Sequence, residues 1–312
     1  MAQYSKGFMI QYLRKRKGMT QEELAEGICE PVTLSRYENG SLNPTAEKFQ
    51  LLMERLGGPG DIYLFPVQTE RLDMEKKRKE IFSAMERGEF SEVRRMLCDI
   101  RQEETLQLDY KENQQYLGRI ELGIDYRQGH IDWKNYIREL EKLLRLTFPE
   151  FDSKKEIPGH IYTETEFWIA CNIGTAYGEH EEYEEAVMIM EALEKYYTDF
   201  GKIGDYKPRY AMLVIYSSFL GRMGRYDDSI QVCIKGIKWL KEKKQYNYLY
   251  NFYFNIGWNL IEKHKKEPKC TKDIETGRRY IWTAYELCKM YPENKANLEI
   301  MKTYYKNIEG VA

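Results

Sequence analysis

The fold of the N-terminal part of this chain is decided by two stretches, Thr20-Gln21-Glu22-Glu23-Leu24-Ala25 and Leu34-Ser35-Arg36-Tyr37-Glu38-Asn39-Gly40. The first stretch begins with a capping box: the Thr20 hydroxyl can accept from the Glu23 amide, while the Glu23 carboxylate reaches back to the Thr20 amide. It therefore predicts a short helix that buries Leu24 and Ala25. The second stretch predicts a helix that ends at Asn39-Gly40, because glycine suits the left-handed conformation at a helix C-terminus.

The flanking residues extend this pattern to four short helices. Apolar side chains at helical spacing predict a first helix over 5–16. Pro31 is expected at the first position of the third helix, where its missing N–H costs nothing. Asn43-Pro44-Thr45 predicts the start of a fourth helix that stops at Gly57-Gly58. The small Ala25 beside a tight turn lets the second and third helices cross closely, which is typical of a helix-turn-helix.

These residues resemble the Cro/C1-type (XRE) helix-turn-helix, the lambda-repressor-like domain, and the match is dense over residues 8–56. The path from Gln21 to Glu38 is one residue shorter than in typical phage repressors, and Cys29 replaces the usual turn glycine. A shortened turn of this kind is familiar from peptide-responsive regulators of the Rgg/PlcR/PrgX type. The resemblance implies that residues 1–66, called the head here, bind DNA. It also implies that Arg14 and Glu38 pair inside the head.

The third helix offers the candidate surface for reading DNA. With Leu34 and Tyr37 in the core, at about 100° per residue, Val32, Ser35 and Arg36 lie on the opposite face and Thr33 lies at its flank. That face would enter a major groove, where an arginine can bond a guanine through two N–H groups. The resemblance implies a phosphate contact for Gln21. The predicted DNA-binding residues are Gln21, Val32, Thr33, Ser35, Arg36, Asn39 and Ser41. The alternative for Arg36, an ordinary solvated side chain, stays open.

Composition shifts after Pro66, and the rest of the chain shows a helical repeat. We predict a linker over 67–74 and a helical sensor and dimerisation domain over 75–312. An aromatic residue, two spacers and a mostly small or apolar residue recur at Phe90–Val93, Trp133–Tyr136, Tyr183–Ala186 and Tyr226–Ser229, with a looser copy at Tyr280–Thr283. The first four copies follow a turn with a glycine: Gly88, Gly129, Gly178 and Gly224. The pattern resembles the tetratricopeptide repeat (TPR) and predicts an all-α chain whose body is an α-solenoid.

The first helix of each repeat pair is expected to line the concave side of the solenoid. An asparagine amide offers a donor and an acceptor, the complement of one peptide unit, and tyrosine adds flat apolar area with a polar tip. The predicted peptide-binding residues are Asn172, Tyr177, Arg209, Tyr210, Tyr216, Asn251 and Asn255. For each tyrosine, ordinary packing between helices is the alternative.

Composition and motifs narrow the function class. The 312 residues are 42% hydrophobic and 31% charged, and no apolar run is long enough to span a membrane. The six cysteines and four histidines are scattered, so neither a disulfide framework nor a metal site is expected. No P-loop and no activated nucleophile appear, so we expect no cofactor and no enzyme activity. Residues 1–20 hold five basic residues and no acidic one, which suits a head that binds an anion.

The resemblance implies a cytoplasmic homodimer that binds promoter half-sites in double-stranded DNA. It also implies that a small signalling peptide, bound by the solenoid, changes the spacing of the heads. Two alternatives remain open. One is a repressor of the phage or mobile-element type, whose helical body serves only for dimerisation. The other is an enzyme-like role, in which the solenoid acts on a protein partner as related sensor phosphatases do.

Overall fold

The computed structural model describes residues 6–56, 73–102, 111–200, 208–242, 244, 246, 248–266, 271–291 and 295–309. Every regular element in these ranges is an α-helix, as the sequence predicts. The chain divides into two compact units: residues 1–173 with 195–206, called the first unit, and residues 174–194 with 207–312, called the second unit. Most of the predicted linker, residues 67–74, lies outside the described residues. None of the described helices is long and apolar enough to cross a membrane.

The head contains the four predicted helices: α1 (Lys6–Arg16), α2 (Gln21–Ala25), α3 (Pro31–Glu38) and α4 (Ala46–Arg55). The predicted capping box is confirmed, since the Glu23 amide donates to Thr20 Oγ1 at 3.1 Å and the Thr20 amide donates to Glu23 Oε2 at 2.6 Å. Gly40 follows α3 with φ 78°, the left-handed conformation expected there. The boundaries of all four helices thus follow from local sequence chemistry.

A close backbone approach joins α1 to the end of α3. The core of the head consists of fully buried apolar side chains from all four helices, among them Met9, Leu24, Leu34 and Leu52. At Gly7 the backbone of α1 lies so near α3 that a Cβ atom would stand 1.5 Å from the Tyr37 carbonyl oxygen. Only glycine permits this crossing without displacing one of the two helices.

The body consists of successive helices that pack in pairs. They are α5 (Asp73–Arg87), α6 (Phe90–Arg101), α7 (Lys111–Arg127), α8 (Trp133–Arg145), α9 (Glu164–Glu179), α10 (Tyr183–Phe200), α11 (Pro208–Arg222), α12 (Tyr226–Glu242), α13 (Leu249–Lys266), α14 (Thr271–Cys288) and α15 (Lys295–Glu309). The pairs include α5 with α6, α7 with α8, α11 with α12 and α13 with α14. This arrangement is TPR-like.

In its first four copies, the repeat predicted from sequence marks the start of a helix. The aromatic residue of each copy is the first residue of the second helix in a pair: Phe90, Trp133, Tyr183 and Tyr226. The looser fifth copy differs from the other four, because Tyr280 lies inside α14, the second helix of its pair, which begins at Thr271. α14 crosses α13 closely at two glycines, since a Cβ on Gly257 would lie 2.7 Å from the Gly277 carbonyl oxygen.

The glycine turn predicted at Gly178 is wrong. Gly88, Gly129 and Gly224 adopt positive φ between their helices, but α9 runs on to Glu179, and Glu181 adopts φ 66° in that turn. Gly178 has a different role, since a Cβ there would lie 2.1 Å from the Phe219 ring. The glycine makes room for an aromatic side chain of α11.

Candidate nucleic-acid interface and candidate peptide-binding residues

The outward face of α3 is the candidate nucleic-acid interface. Leu34 and Tyr37 are buried in the head, while Val32 is 66% exposed and Arg36 is exposed as well. Ser35 and Thr33 lie partly exposed beside them. Arg36 forms no ion pair with any residue that the structure describes, so its guanidinium is available to a ligand. The division into inner and outer faces is the one the sequence predicts.

A buried ion pair fixes α3 within the head. Arg14 Nε and Nη2 donate to Glu38 Oε1 and Oε2 at 2.6 and 2.8 Å, and Gln21 Nε2 donates to Glu38 Oε2 at 2.7 Å. Burial acts to raise the pKa of Glu38, but the hydrogen bonds from Arg14 and Gln21 outweigh it and hold that pKa below its ordinary value. The pairing implied by the resemblance is therefore present, and it joins α1, α2 and α3.

Three further predicted DNA-binding residues take part in contacts at the ends of helices. The Gln21 side chain donates to Glu38, as described above. Asn39 Oδ1 accepts from the Ser41 amide at 3.0 Å and from Ser41 Oγ at 2.7 Å. Asn39 and Ser41 are exposed beside the C-terminus of α3, while Gln21 is partly buried at the start of α2. Their contacts with DNA remain predictions.

The head also contacts the body at a site that the sequence analysis missed. The Tyr12 hydroxyl on α1 lies 3.3 Å from the Gly159 carbonyl oxygen and 3.3 Å from His160 Nδ1. His160 is buried, stacks on Phe148 with ring centroids 3.9 Å apart, and places Nε2 3.2 Å from Glu166 Oε2. All these residues belong to the first unit.

A sequence signal for this site was present. Thr163 and Glu166 form a capping box at the start of α9: the Glu166 amide donates to Thr163 Oγ1 at 3.1 Å, and the Thr163 amide donates to Glu166 Oε2 at 2.7 Å. The spacing is the same as that of Thr20 and Glu23. The capping box places Glu166 against His160, and thus connects α9 to the contact with Tyr12.

The predicted peptide-binding residues are distributed over both units. Asn172 lies on α9 in the first unit, and the other six lie in the second unit: Tyr177, Arg209, Tyr210, Tyr216, Asn251 and Asn255. The side-chain amides of Asn172 and Asn251 are partly buried and form no hydrogen bond with the described part of the chain. Their donors and acceptors are therefore available to a ligand.

Asn255 has a structural contact that distinguishes it from Asn172. Its Nδ2 atom donates to the Val214 carbonyl oxygen at 3.1 Å and to Ser217 Oγ at 2.7 Å, which joins α13 to α11. The repeated Asn-Ile-Gly sequence at 172–174 and 255–257 therefore does not place its two asparagines in equal surroundings.

The remaining candidates in the second unit have packing partners. Tyr177 and Tyr216 are buried, and the Tyr216 hydroxyl lies 3.2 Å from Glu191 Oε1. Tyr210 stacks on Tyr248 with ring centroids 4.3 Å apart. Arg209 Nη2 lies 3.1 Å from Glu194 Oε1. Peptide contact by these residues remains a prediction, and the buried tyrosines offer only small surfaces for it.

The fold and the exposed face of α3 define a helix-turn-helix domain joined to a TPR-like helical body. The helix-turn-helix family model HTH_3 matches residues 10–62. Among solved structures, the chain is similar to PlcR of Bacillus thuringiensis in complex with the peptide PapR7 and DNA, with a TM-score of 0.55 and 20% identity over 94% of this chain and 98% of that one. The apo form of PlcR gives a TM-score of 0.56 and 17% identity over 96% of this chain and 98% of that one. No curated protein sequence matches the chain.

These similarities establish the fold from the head to the end of the body. Both PlcR structures are covered almost completely, so the likeness extends well beyond the helix-turn-helix domain. The chain therefore combines the two architectural parts that the sequence predicts.

Proposed function

We propose that this protein is a transcriptional regulator that reads double-stranded DNA through the outward face of α3. The observation that carries this proposal is the exposure of Val32 and Arg36 on a helix whose opposite face is buried. Arg36 contributes the base-specific contact, because its planar guanidinium can bond the O6 and N7 atoms of a guanine together. The basic side chains of α1 add attraction to phosphates that does not depend on sequence.

The buried pair Arg14–Glu38 supports this function by preorganisation. A recognition helix discriminates between bases only when its side chains are held at a defined depth and angle in the groove. The ion pair, the Gln21 hydrogen bond and the Gly7 crossing together fix the C-terminal half of α3 against α1 and α2.

We further propose that the body binds a short peptide and dimerises in the cytoplasm. The available amides of Asn172 and Asn251 support peptide binding, because each can bond one peptide unit regardless of its side chain. PlcR, whose fold the chain shares, has been solved with a peptide and DNA. A bound peptide changes head spacing only if it favours one arrangement of the body over another. The protein acts by binding and has no catalytic role.

Binding-site selection with the purified full-length protein tests the proposal. A pool of random duplexes, enriched over several rounds, is expected to give a site with two related half-sites, since a dimer reads DNA twice. The Arg36→Ala variant, selected in parallel, should lose preference at one base pair in each half-site. Failure of the wild-type protein to enrich any sequence would overturn the regulatory function. Enrichment without response to any peptide would instead favour a ligand-independent repressor.

A further inference from the structure

The turn between α2 and α3 is held by the last residue of α4. Arg55 Nη1 donates to the Leu24 carbonyl oxygen at 3.2 Å and also to the Glu26 carbonyl oxygen. Both carbonyl groups lie at the C-terminal end of α2, where the carbonyls of a helix have no amide partners of their own. The carbonyl oxygen between them, on Ala25, accepts instead from the Ile28 amide at 2.9 Å. Arg55 therefore completes the hydrogen bonding of this helix end from a different helix.

The start of α3 depends on this turn, because α3 has no side-chain cap of its own. Its N-cap residue, Glu30, makes no capping hydrogen bond with its side chain, and residues 26–30 alone separate α3 from α2. The buried ion pair and the glycine crossing described above act at the other end of α3. The first turn of α3 is therefore positioned by the buried Leu34 side chain and by the turn that Arg55 holds.

The Arg55 guanidinium is suited to this place by its charge and by its fixed origin. A cation is favourable beside unpaired carbonyl groups at a helix C-terminus, because these carry partial negative charge. Arg55 forms no ion pair with any residue that the structure describes, so its hydrogen bonds go to these carbonyl groups. Leu52 and Leu56, on either side of Arg55 along the chain, are buried and hold the end of α4 against the core.

We propose that Arg55 is a positioning residue for the reading of DNA: it fixes the turn before α3 and so sets the depth at which Val32 and Thr33 enter the major groove. This inference rests on the proposed function of the outward face of α3. It adds a residue that lies outside that face and acts without touching a base. The competing role is a contact between Arg55 and a DNA phosphate, since Arg55 is itself exposed.

Mapping of base preference along the DNA site tests this role. Full-length wild type, Arg55→Met, Arg36→Ala, Val32→Ala and Thr33→Ala are titrated against the selected duplex and against duplexes that each carry one changed base pair. Methionine keeps an unbranched stem of similar length and removes the donors. We expect Arg55→Met to lose roughly fivefold in preference, the effect of one lost hydrogen bond, at the base pairs that Val32→Ala or Thr33→Ala affects. It should keep the preference that Arg36→Ala removes.

Lys15→Met is the matched control for the loss of one positive charge from the head, because Lys15 is exposed on α1. The control is expected to weaken binding to the selected and to a scrambled duplex equally. If Arg55→Met does the same, and the slope of log affinity against log salt falls by about one, Arg55 contacts a phosphate and the proposal is overturned. Preference lost equally at every base pair would overturn it too. So would the absence of any base pair affected by Val32→Ala or Thr33→Ala.

Hydrogen exchange separates failure of this proposal from failure of the proposed function. Arg55→Met should speed exchange of the amides of residues 26–30 by roughly fivefold, while the amides of α1 exchange as in the wild type. Equal exchange of residues 26–30 in the two proteins would show that Arg55 does not hold the turn, and would overturn the proposal even with DNA binding intact. A wild-type protein that enriches no duplex would overturn the proposed function, and with it the role of Arg55 in reading DNA, whatever the exchange shows.

Discussion

Arg14 and Glu38 form a bidentate ion pair inside the head, with donor–acceptor distances of 2.6 and 2.8 Å. The Glu38 side chain is 1% exposed and that of Arg14 is 11% exposed, so the pair is shielded from water. Because Arg14 belongs to α1 and Glu38 ends α3, this contact sets the position of the helix proposed to read DNA.

Removal of one partner of this pair should unfold the head locally. Arg14→Ala leaves the Glu38 carboxylate buried without its cation, a change that costs about 3–5 kcal/mol in comparable sites. Hydrogen exchange of the α3 amides is the suitable measurement, since none of the five tryptophans lies in the head. The double variant Arg14→Met with Glu38→Leu is the control, and it should recover much of the lost protection. Unchanged exchange in Arg14→Ala would contradict a stabilising role for the pair.

The same pair predicts how the head responds to acid. The pKa of Glu38 lies below its ordinary value in the folded head, so its contribution to stability is fully present above the unfolded pKa of about 4.3. That contribution is lost as the pH falls through the lower folded value. Protection factors of the α3 amides in the wild type should therefore fall more steeply below about pH 4.3 than those of Glu38→Gln. Parallel curves for the two proteins would show that another group controls the acid response.

The two asparagines of the repeated Asn-Ile-Gly sequence should behave differently when replaced. Asn255→Ala removes the hydrogen bonds from α13 to Val214 and Ser217, and the loss of such hydrogen bonds costs about 1 kcal/mol. Asn172→Ala removes no hydrogen bond to the described part of the chain, so its cost should be about 0.5 kcal/mol or less. Hydrogen exchange in α11 and α13 reports the first effect. Loss of peptide binding in Asn172→Ala, without loss of protection, would assign Asn172 to the ligand; equal destabilisation by both changes would exclude that assignment.

Tyr12→Phe tests the contact between the head and the body. The change removes one oxygen atom, which lies 3.3 Å from both the Gly159 carbonyl oxygen and His160 Nδ1. A loss of up to about 1 kcal/mol, or roughly fivefold faster local opening, is expected. Hydrogen exchange should rise in α1 and around residues 159–163, while α13 in the second unit serves as the internal reference. If hydrogen exchange rises nowhere in the first unit, the Tyr12 hydroxyl does not stabilise the contact between the head and the body.

The sequence predicted the head more completely than the body, for a physical reason. Capping boxes, a proline at the start of α3 and a glycine after it are local signals, so helix boundaries could be read from a few neighbouring residues. Gly178 shows where such reading fails. Its role depends on Phe219, which lies on another helix and packs where a Cβ would stand. No local pattern distinguishes a glycine that turns the chain from one that accommodates a distant ring.

The candidate sites show the same difference between features set by neighbouring residues and features set by contacts between distant helices. The exposed face of α3 followed from helical periodicity alone, because a short helix against one core has only one way to bury Leu34 and Tyr37. The contact of Asn255 with Ser217 depends on how successive helix pairs stack. Stacking is set by many side chains at once, so this contact could not be read from spacing along the chain.

Equilibrium DNA binding shows whether the outward face of α3 reads DNA bases. Wild-type protein and Arg36→Ala are each titrated against the selected duplex and against a scrambled duplex of equal length. We expect Arg36→Ala to weaken binding to the selected duplex by about 1–3 kcal/mol and to leave binding to the scrambled duplex nearly unchanged. Equal weakening on both duplexes would make Arg36 a phosphate contact, and a wild-type protein that binds neither duplex at low salt would exclude DNA binding by this face of α3.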